Sequence, residues 1–328
     1  MQQHISDDRE RRAPVTAVTR PYTIERRGAV PAALACDVLA CVQHGDTSGD
    51  DDARRIRVAL PVLAGDGVEL WRSTLPVRHG RDDGIAYAEN GAVLFGQLRL
   101  PEAQLAGMDR AAFDAYARID AFLQRRSYPA WLRVWNFIAG ITRGEGDAER
   151  YRQFSLGRYK ALSLKSGFER ELPAATAIGT VDGGLLIYFI AGPHGGRQIE
   201  NPRQVSAFRY PRQYGPRSPS FSRANLLEWR DGAELFVSGT ASIVGHETLH
   251  VGRPLAQLDE LLCNVAALTA QAQSSLQPDV LKLYLRDPQH LAAVRARLSR
   301  HFGARPVTIL HGDVCRRELD LEIEAIFR

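Results

Sequence analysis

Two stretches of this chain read as the same order of elements: helix, strand, helix, then a pair of strands. That repetition restricts the fold more than any single motif does. In the first stretch, residues 108–126 carry Phe113, Tyr116, Ile119, Ala121 and Leu123 as an apolar stripe at helical spacing. Residues 132–141 (LRVWNFIAGI) read as a buried strand, 147–163 as a second helix, and 175–191 as two strands joined by an Asp-Gly-Gly turn. In the second stretch, 255–272 reads as a helix, 280–287 as a strand, 288–302 as a helix, and 307–310 and 318–327 as closing strands. LRVWNFI corresponds to VLKLYLR, and GGLLIYFIA to ELDLEIEAI. Further strands are expected at 55–63, 92–100 and 233–243. The similarity is one of pattern rather than of residues, and a duplicated α+β unit is its simplest account. The Gly-rich stretch 192–196 marks the boundary, giving a mobile N-terminus over 1–20 and halves over 21–195 and 196–328.

A chain of 328 residues has room for two such domains, and 45% hydrophobic with 24% charged residues suits a globular protein. A formal net charge of +4 is too small to argue for nucleic acid. No apolar run reaches the roughly 20 residues needed to span a bilayer, and the polar start lacks the apolar core of a signal peptide. Cys36, Cys41, Cys263 and Cys315 show neither CxxC nor zinc-ligand spacing. A cytoplasmic protein without nucleic-acid or membrane partners is expected. Residues 46–55 read as an exposed acidic loop.

Against this balanced background, residues 198–223 stand out. Arg203, Arg209, Arg212, Arg217 and Arg223 alternate with Phe208, Tyr210, Tyr214 and Phe221, and Glu200 is the only acid. Guanidinium forks beside aromatic rings suit a small planar dianion held by its carboxylates. The competing reading is a solvated basic face. Along 318–327, Glu318, Asp320, Glu322 and Glu324 alternate with apolar residues, the pattern of a strand with one wet side. His246 and His250 have i, i+4 spacing but sit in a loop with no third ligand, so no metal is expected. The turn holding Gly239 and Gly245 is expected to leave backbone N–H groups free for an oxygen.

The second half, through FSRANLLEWRDGAELFVSGTASI, VLKLYLRDPQHLAAVRARLSRHFG and RPVTILHGDVCRRELDLEIEAI, resembles a YjgF/RidA-like subunit. Such subunits form trimers with ligand sites in the clefts between neighbours. Two such halves, together with NPRQVSAFRYPRQYGPRSPSFSRA, YRQFSLGRYKAL and SGTASIVGHET, resemble the chorismatases, which release pyruvate from chorismate without metal or organic cofactor. The resemblance implies two fused YjgF-like (chorismate-mutase-like) α+β halves in a pseudo-trimeric barrel arrangement, with the site between them. It also implies chorismate as the partner and a monomer or weak homo-oligomer.

Chorismate has two carboxylates, so two cationic pockets are needed. Arg158, Arg217 and Arg223 are the candidates, with Tyr151 two helical turns from Arg158 and Tyr214 as a hydroxyl donor. By resemblance, Glu322 protonates the methylene carbon of the enol ether, a task that demands a carboxyl with a raised pKa. A cysteine at the spacing of Cys315 marks the members that aromatise the ring to 3-hydroxybenzoate, alone or with 4-hydroxybenzoate. Arg316 and Arg317 are expected to depress its pKa; core packing is the plainer reading of this thiol. The alternatives are a YjgF-like imine deaminase and a non-catalytic binder of aromatic or keto acids. The deaminase is disfavoured because Val307 and Thr308 follow Pro306 where an arginine is expected.

Overall fold

The computed structural model describes residues 18–45, 51–181, 183–272 and 275–328. Most of the expected N-terminal stretch, the first half of the acidic loop and Asp182 lie outside the described residues. Five strands come first: β1 (Tyr22–Arg27), β2 (Val38–His44), β3 (Arg55–Val58), β4 (Val62–Ala64) and β5 (Val68–Ser73). The next unit holds β6 (Arg78–Asp82), β7 (Ile85–Glu89), β8 (Leu94–Leu100), α1 (Met108–Arg125), β9 (Ala130–Ala139), α2 (Arg150–Leu162), β10 (Ala174–Thr180) and β11 (Leu185–Gly192). The last contains β12 (Arg197–Ile199), β13 (Ala224–Trp229), β14 (Gly232–Thr240), β15 (Ile243–Val244), β16 (Glu247–Thr248), α3 (Pro254–Ala272), β17 (Pro278–Leu285), α4 (Leu291–Phe302), β18 (Thr308–His311), β19 (Asp313–Val314) and β20 (Leu321–Phe327).

The two seven-stranded sheets repeat one topology. Their orders are β19-β10-β9-β11-β8-β7-β6 and β12-β13-β14-β20-β17-β18-β4. In each, a hairpin (β7–β8, β13–β14) leads to a helix and a central strand, whose neighbours are one parallel and one antiparallel strand. The sheets also exchange edges: β4 pairs with β18, and β19 pairs with β10. The four-stranded sheet, β1-β5-β2-β3, shows the same order and directions without helices, β2 lying parallel to β3 and antiparallel to β5.

Two expectations need correction here. The strands on either side of the Gly183-Gly184 turn are not hairpin partners, because β9 lies between β10 and β11. The wet side expected for the last strand's acids other than Glu322 holds at Glu318, which is exposed, and fails at Glu324. β20 begins only at Leu321, and Glu322 and Glu324 are 5% and 3% exposed.

Side-chain alternation explains the layering. On β20, Leu321, Ile323, Ala325 and Phe327 meet α3 and α4, while Ile326 turns to an inner core shared by all three sheets. Trp71, Phe95, Trp135, Tyr188, Phe236 and Tyr284 fill that inner core. Around α1 a separate outer cluster forms. α2 can lie close on α1 because Gly157 has no Cβ; one there would strike the Asp109 carbonyl. Among the described residues no helix is long and apolar enough to cross a membrane.

Candidate active site

A cleft of about 540 Å3 opens where β10 of one seven-stranded sheet meets β14 and β20 of the other. One serine and one threonine hydroxyl join this seam. Ser238 Oγ accepts the Ala175 amide at 2.8 Å and donates to the Ser222 carbonyl at 2.6 Å, and the Gly239 amide donates to Thr176 Oγ1 at 3.1 Å. The walls come from α2, from residues 210–223 of the arginine-rich segment, and from the 315–319 connection.

Glu322 lies on the floor. Gly239 faces it across the β14–β20 pair, and a Cβ on Gly239 would run into Glu322 Oε1, so the bare backbone makes the space for the carboxyl. Burial raises the Glu322 pKa to about 8, the negative charge of Glu324 adding to the rise and Arg133 and Arg223 opposing it. The group therefore keeps its proton at neutral pH. Two residues on, Glu324 is driven the other way, to about 2, because Lys282 and Arg133 overcome its burial. Neighbouring carboxyls on one strand face thus stand in opposite protonation states.

Cations surround the acid with N–H groups still unspent. Arg158, 3% exposed, leans over the Tyr116 ring at 5.0 Å, and its Nε and Nη2 have no hydrogen-bond partner. Arg223, 4% exposed, donates from Nη2 to Tyr210 Oη at 2.6 Å and the Val205 carbonyl at 2.8 Å, while its Nε is unpartnered. Arg316 stacks on the Tyr214 ring at 3.9 Å and donates to the His246 carbonyl at 2.8 Å; its Nη2 is also unpartnered. Buried guanidiniums without counter-ions are costly. Arg158 and Arg223, joined by the half-buried Arg316, put unspent donors around one cavity, an arrangement suited to an anion with more than one charge.

Of the residues singled out in the sequence, Tyr151, Arg158, Tyr214, Arg223, Cys315 and Glu322 all line this cleft. Arg217 does not. It is exposed, its guanidinium 4.5 Å above the Tyr159 ring. Two other arginines of its segment are tied elsewhere, Arg203 to Glu260 and Asn264, Arg212 to Asp147. Tyr214 Oη sits 3.3 Å from His246 Nδ1, and His250 lies 3.2 Å from Glu260, so the two histidines serve different partners. The Gly239 and Gly245 amides are not free, since they donate to Thr176 Oγ1 and to the Arg203 carbonyl.

The expected thiolate at Cys315 is overturned. Burial pushes the thiol up to about 12, Glu322 adds to the rise, and Arg316 counters only part of it. The guanidinium of Arg317 is spent on the Thr142 and Gly144 carbonyls. Cys315 is therefore a neutral thiol at the edge of the cleft. Arg316 itself, treated in the sequence only as a neighbour of the cysteine, is a wall of the site. Its side chain can be placed only once the β15–β16 hairpin and Tyr214 are in position. Thr176 carried no local signal that it would meet Glu322, because it comes from the other seven-stranded sheet, and Gly239, singled out for its turn, reaches Glu322 only through the β14–β20 pairing.

Comparison with known proteins follows the same lines. The family profile "Chorismatase FkbO/Hyg5-like, N-terminal" matches residues 69–191. A chorismatase of Streptomyces rapamycinicus is 38% identical over 79% of this chain and 81% of its own. A 3-hydroxybenzoate synthase of Streptomyces hygroscopicus is 36% identical over 79% of this chain and 80% of its own. A chorismatase crystal structure superimposes with a TM-score of 0.83 at 33% identity, covering 95% of this chain and all of the other.

Proposed function

This chain belongs to the chorismatase family, and from that premise we propose that its cleft removes pyruvate from chorismate, giving 3-hydroxybenzoate. The observation that carries the reading is Glu322. It is a buried carboxylic acid that holds its proton to about pH 8 beneath arginines with unspent donors. Arg158, Arg223 and Arg316 receive the two substrate carboxylates, and Tyr151 and Tyr214 add hydroxyls. Glu322 gives its proton to the terminal methylene carbon; the enol π pair forms the new C–H bond and an oxocarbenium ion results. The neighbouring ring hydroxyl gives its proton to the Glu322 carboxylate, and its oxygen displaces the ether oxygen from the adjacent ring carbon; the electron pair of the broken C–O bond stays on the ether oxygen and completes the pyruvate ketone. An arene oxide remains on the ring.

Cys315, as a neutral thiol, hands a proton to the oxide oxygen as one C–O bond opens. The thiolate so formed takes the ring proton whose loss restores aromaticity. Pyruvate and hydroxybenzoate together account for every atom of chorismate, with no water consumed. A bare anion receptor has no use for a protonated carboxyl turned toward its ligand, which disfavours the binder reading.

The same reading extends to the architecture. The shared strand order of three sheets, one lacking helices, supports a pseudo-trimeric arrangement built from halves over 21–195 and 196–328. In the same reading the chain is a cytoplasmic monomer or weak homo-oligomer, since two fused halves reduce the need for a neighbour to complete the cleft. The decisive experiment is to incubate purified protein with chorismate, follow pyruvate and identify the ring product. Pyruvate with 3-hydroxybenzoate is expected; no pyruvate above the buffer control would end the reading.

A further inference from the structure

Behind the cleft, four charges are buried where the three sheets converge. Glu69 comes from β5, Arg133 from β9, Lys282 from β17 and Glu324 from β20. Lys282 Nζ lies 2.7 Å from Glu324 Oε1 and 3.1 Å from Glu69 Oε1, and Arg133 Nη2 lies 2.8 Å from Glu324 Oε2. Trp135 Nε1 donates to Glu324 Oε1 at 2.9 Å. Each of the four residues is less than 5% exposed. A buried ion cluster of this kind is a poor device for stability, since desolvation offsets much of the attraction and a packed apolar core does as well. Its place beside the acid suggests another use.

We propose that this cluster, with Glu324 as the member next to the cleft, is a positioning device that keeps the proton on Glu322; the proposal rests on Glu322 being the catalytic acid. Two acids and two bases make the cluster neutral, and both Glu324 oxygens are already engaged. No cation of the cluster is left to share with a second carboxylate on the same strand face. Ionising Glu322 would add one uncompensated charge to a dry interior. The titratable and charged groups around Glu322 are Glu324 on its own strand, Arg133 on β9, Arg223 at the end of the arginine-rich segment, Cys315 and Arg316 on the preceding connection, Tyr151 and Arg158 on α2, and Tyr284, its cross-strand partner on β17. Arg133 and Arg223 favour the charged form. Arg133 is committed to Glu324, and Arg223 is the one that a substrate carboxylate neutralises. The cluster also fixes geometry, because Arg133 donates to Thr176 Oγ1, the acceptor of the Gly239 amide beside the Glu322 carboxyl.

A general acid works while protonated, so pyruvate release should hold at neutral pH and fall as pH rises through about 8. Glu324→Gln removes the like charge and releases Arg133 and Lys282, so the basic limb of kcat should move down by about one pH unit or more with KM little changed. Glu324→Asp, which keeps the charge, should restore the limb toward the parent. A limb that stays in place in Glu324→Gln while kcat falls would make Glu324 structural only and overturn the proposal. Should Glu324→Gln fail to fold, 13C titration of the glutamate carboxyls, assigned with Glu322→Gln and Glu324→Asp, decides the matter. The carboxyl lost in Glu322→Gln should titrate far above the others while that of Glu324 stays ionised; a proton taken up by Glu324 instead overturns the proposal. Full pyruvate release by Glu322→Gln would end the catalytic assignment, yet leave this carboxyl titration as it was, so the two failures are distinguishable.

Discussion

β11 and β20 occupy equivalent places in the two seven-stranded sheets, each antiparallel to the central strand of its unit. Their outer faces do the same job: Leu185, Ile187, Phe189 and Ala191 pack toward α1 and α2, and Leu321, Ile323, Ala325 and Phe327 toward α3 and α4. Their inner faces differ. β11 presents Leu186, Tyr188 and Ile190, ordinary core, where β20 presents Glu322, Glu324 and Ile326. The fold therefore does not require acids at these positions. It tolerates them on β20 because Arg133 and Lys282 balance one, while the other stays neutral. In the proposed reading, chemistry is added to this architecture by one acid on that face, with its neighbour positioning the proton.

The strongest way to break this comparison is to copy the sister strand. Glu322→Leu, mimicking Leu186, should lower pyruvate release by about 10²–10⁴-fold without loss of fold, and Glu322→Gln should do likewise. Stability sharpens it. The folded-state pKa of Glu322 is raised above its unfolded value, so the stability it confers is whole below about pH 4.5 and drains away as pH climbs toward 8. In thermal unfolding, the Tm of Glu322→Leu relative to the parent should accordingly rise across that window; a difference that stays level would show that Glu322 is ionised in the folded state.

Next in size is Arg158→Met, which removes a buried cation with unspent donors. It should cost about 10–100-fold in kcat/KM, chiefly through KM, as read by initial rates. Cys315→Ala should leave pyruvate release near the parent rate but move the ring product away from 3-hydroxybenzoate, as read by chromatography. An unchanged product would leave the thiol as packing. The smallest effect is expected of Arg217→Ala, about twofold or less in kcat/KM, because that guanidinium lies outside the cleft over Tyr159.

Much of this was legible in the residues. The repeated order of elements is recovered in the two helical units, and Glu322, Cys315, Arg158 and Arg223 do meet in one cleft. The expectations that failed share a cause. Strand neighbours depend on what inserts between them, so the Gly-Gly turn looked like a hairpin until β9 was in place. Alternating acids look solvated unless the buried partners, far away in the chain, are known. Arg133 is 191 residues from Glu324 in sequence.

Local periodicity by itself determined the elements and their duplicated order, because apolar spacing and turn chemistry act over a few residues, and the residues alone marked the arginine-rich segment of which Arg223 reaches the cleft. Protonation was decided only by tertiary structure. Whether Glu322 keeps its proton, Glu324 loses its own and Cys315 remains a thiol depends on desolvation and on charges brought from three sheets. Those energies exist only once the interior has closed and excluded water.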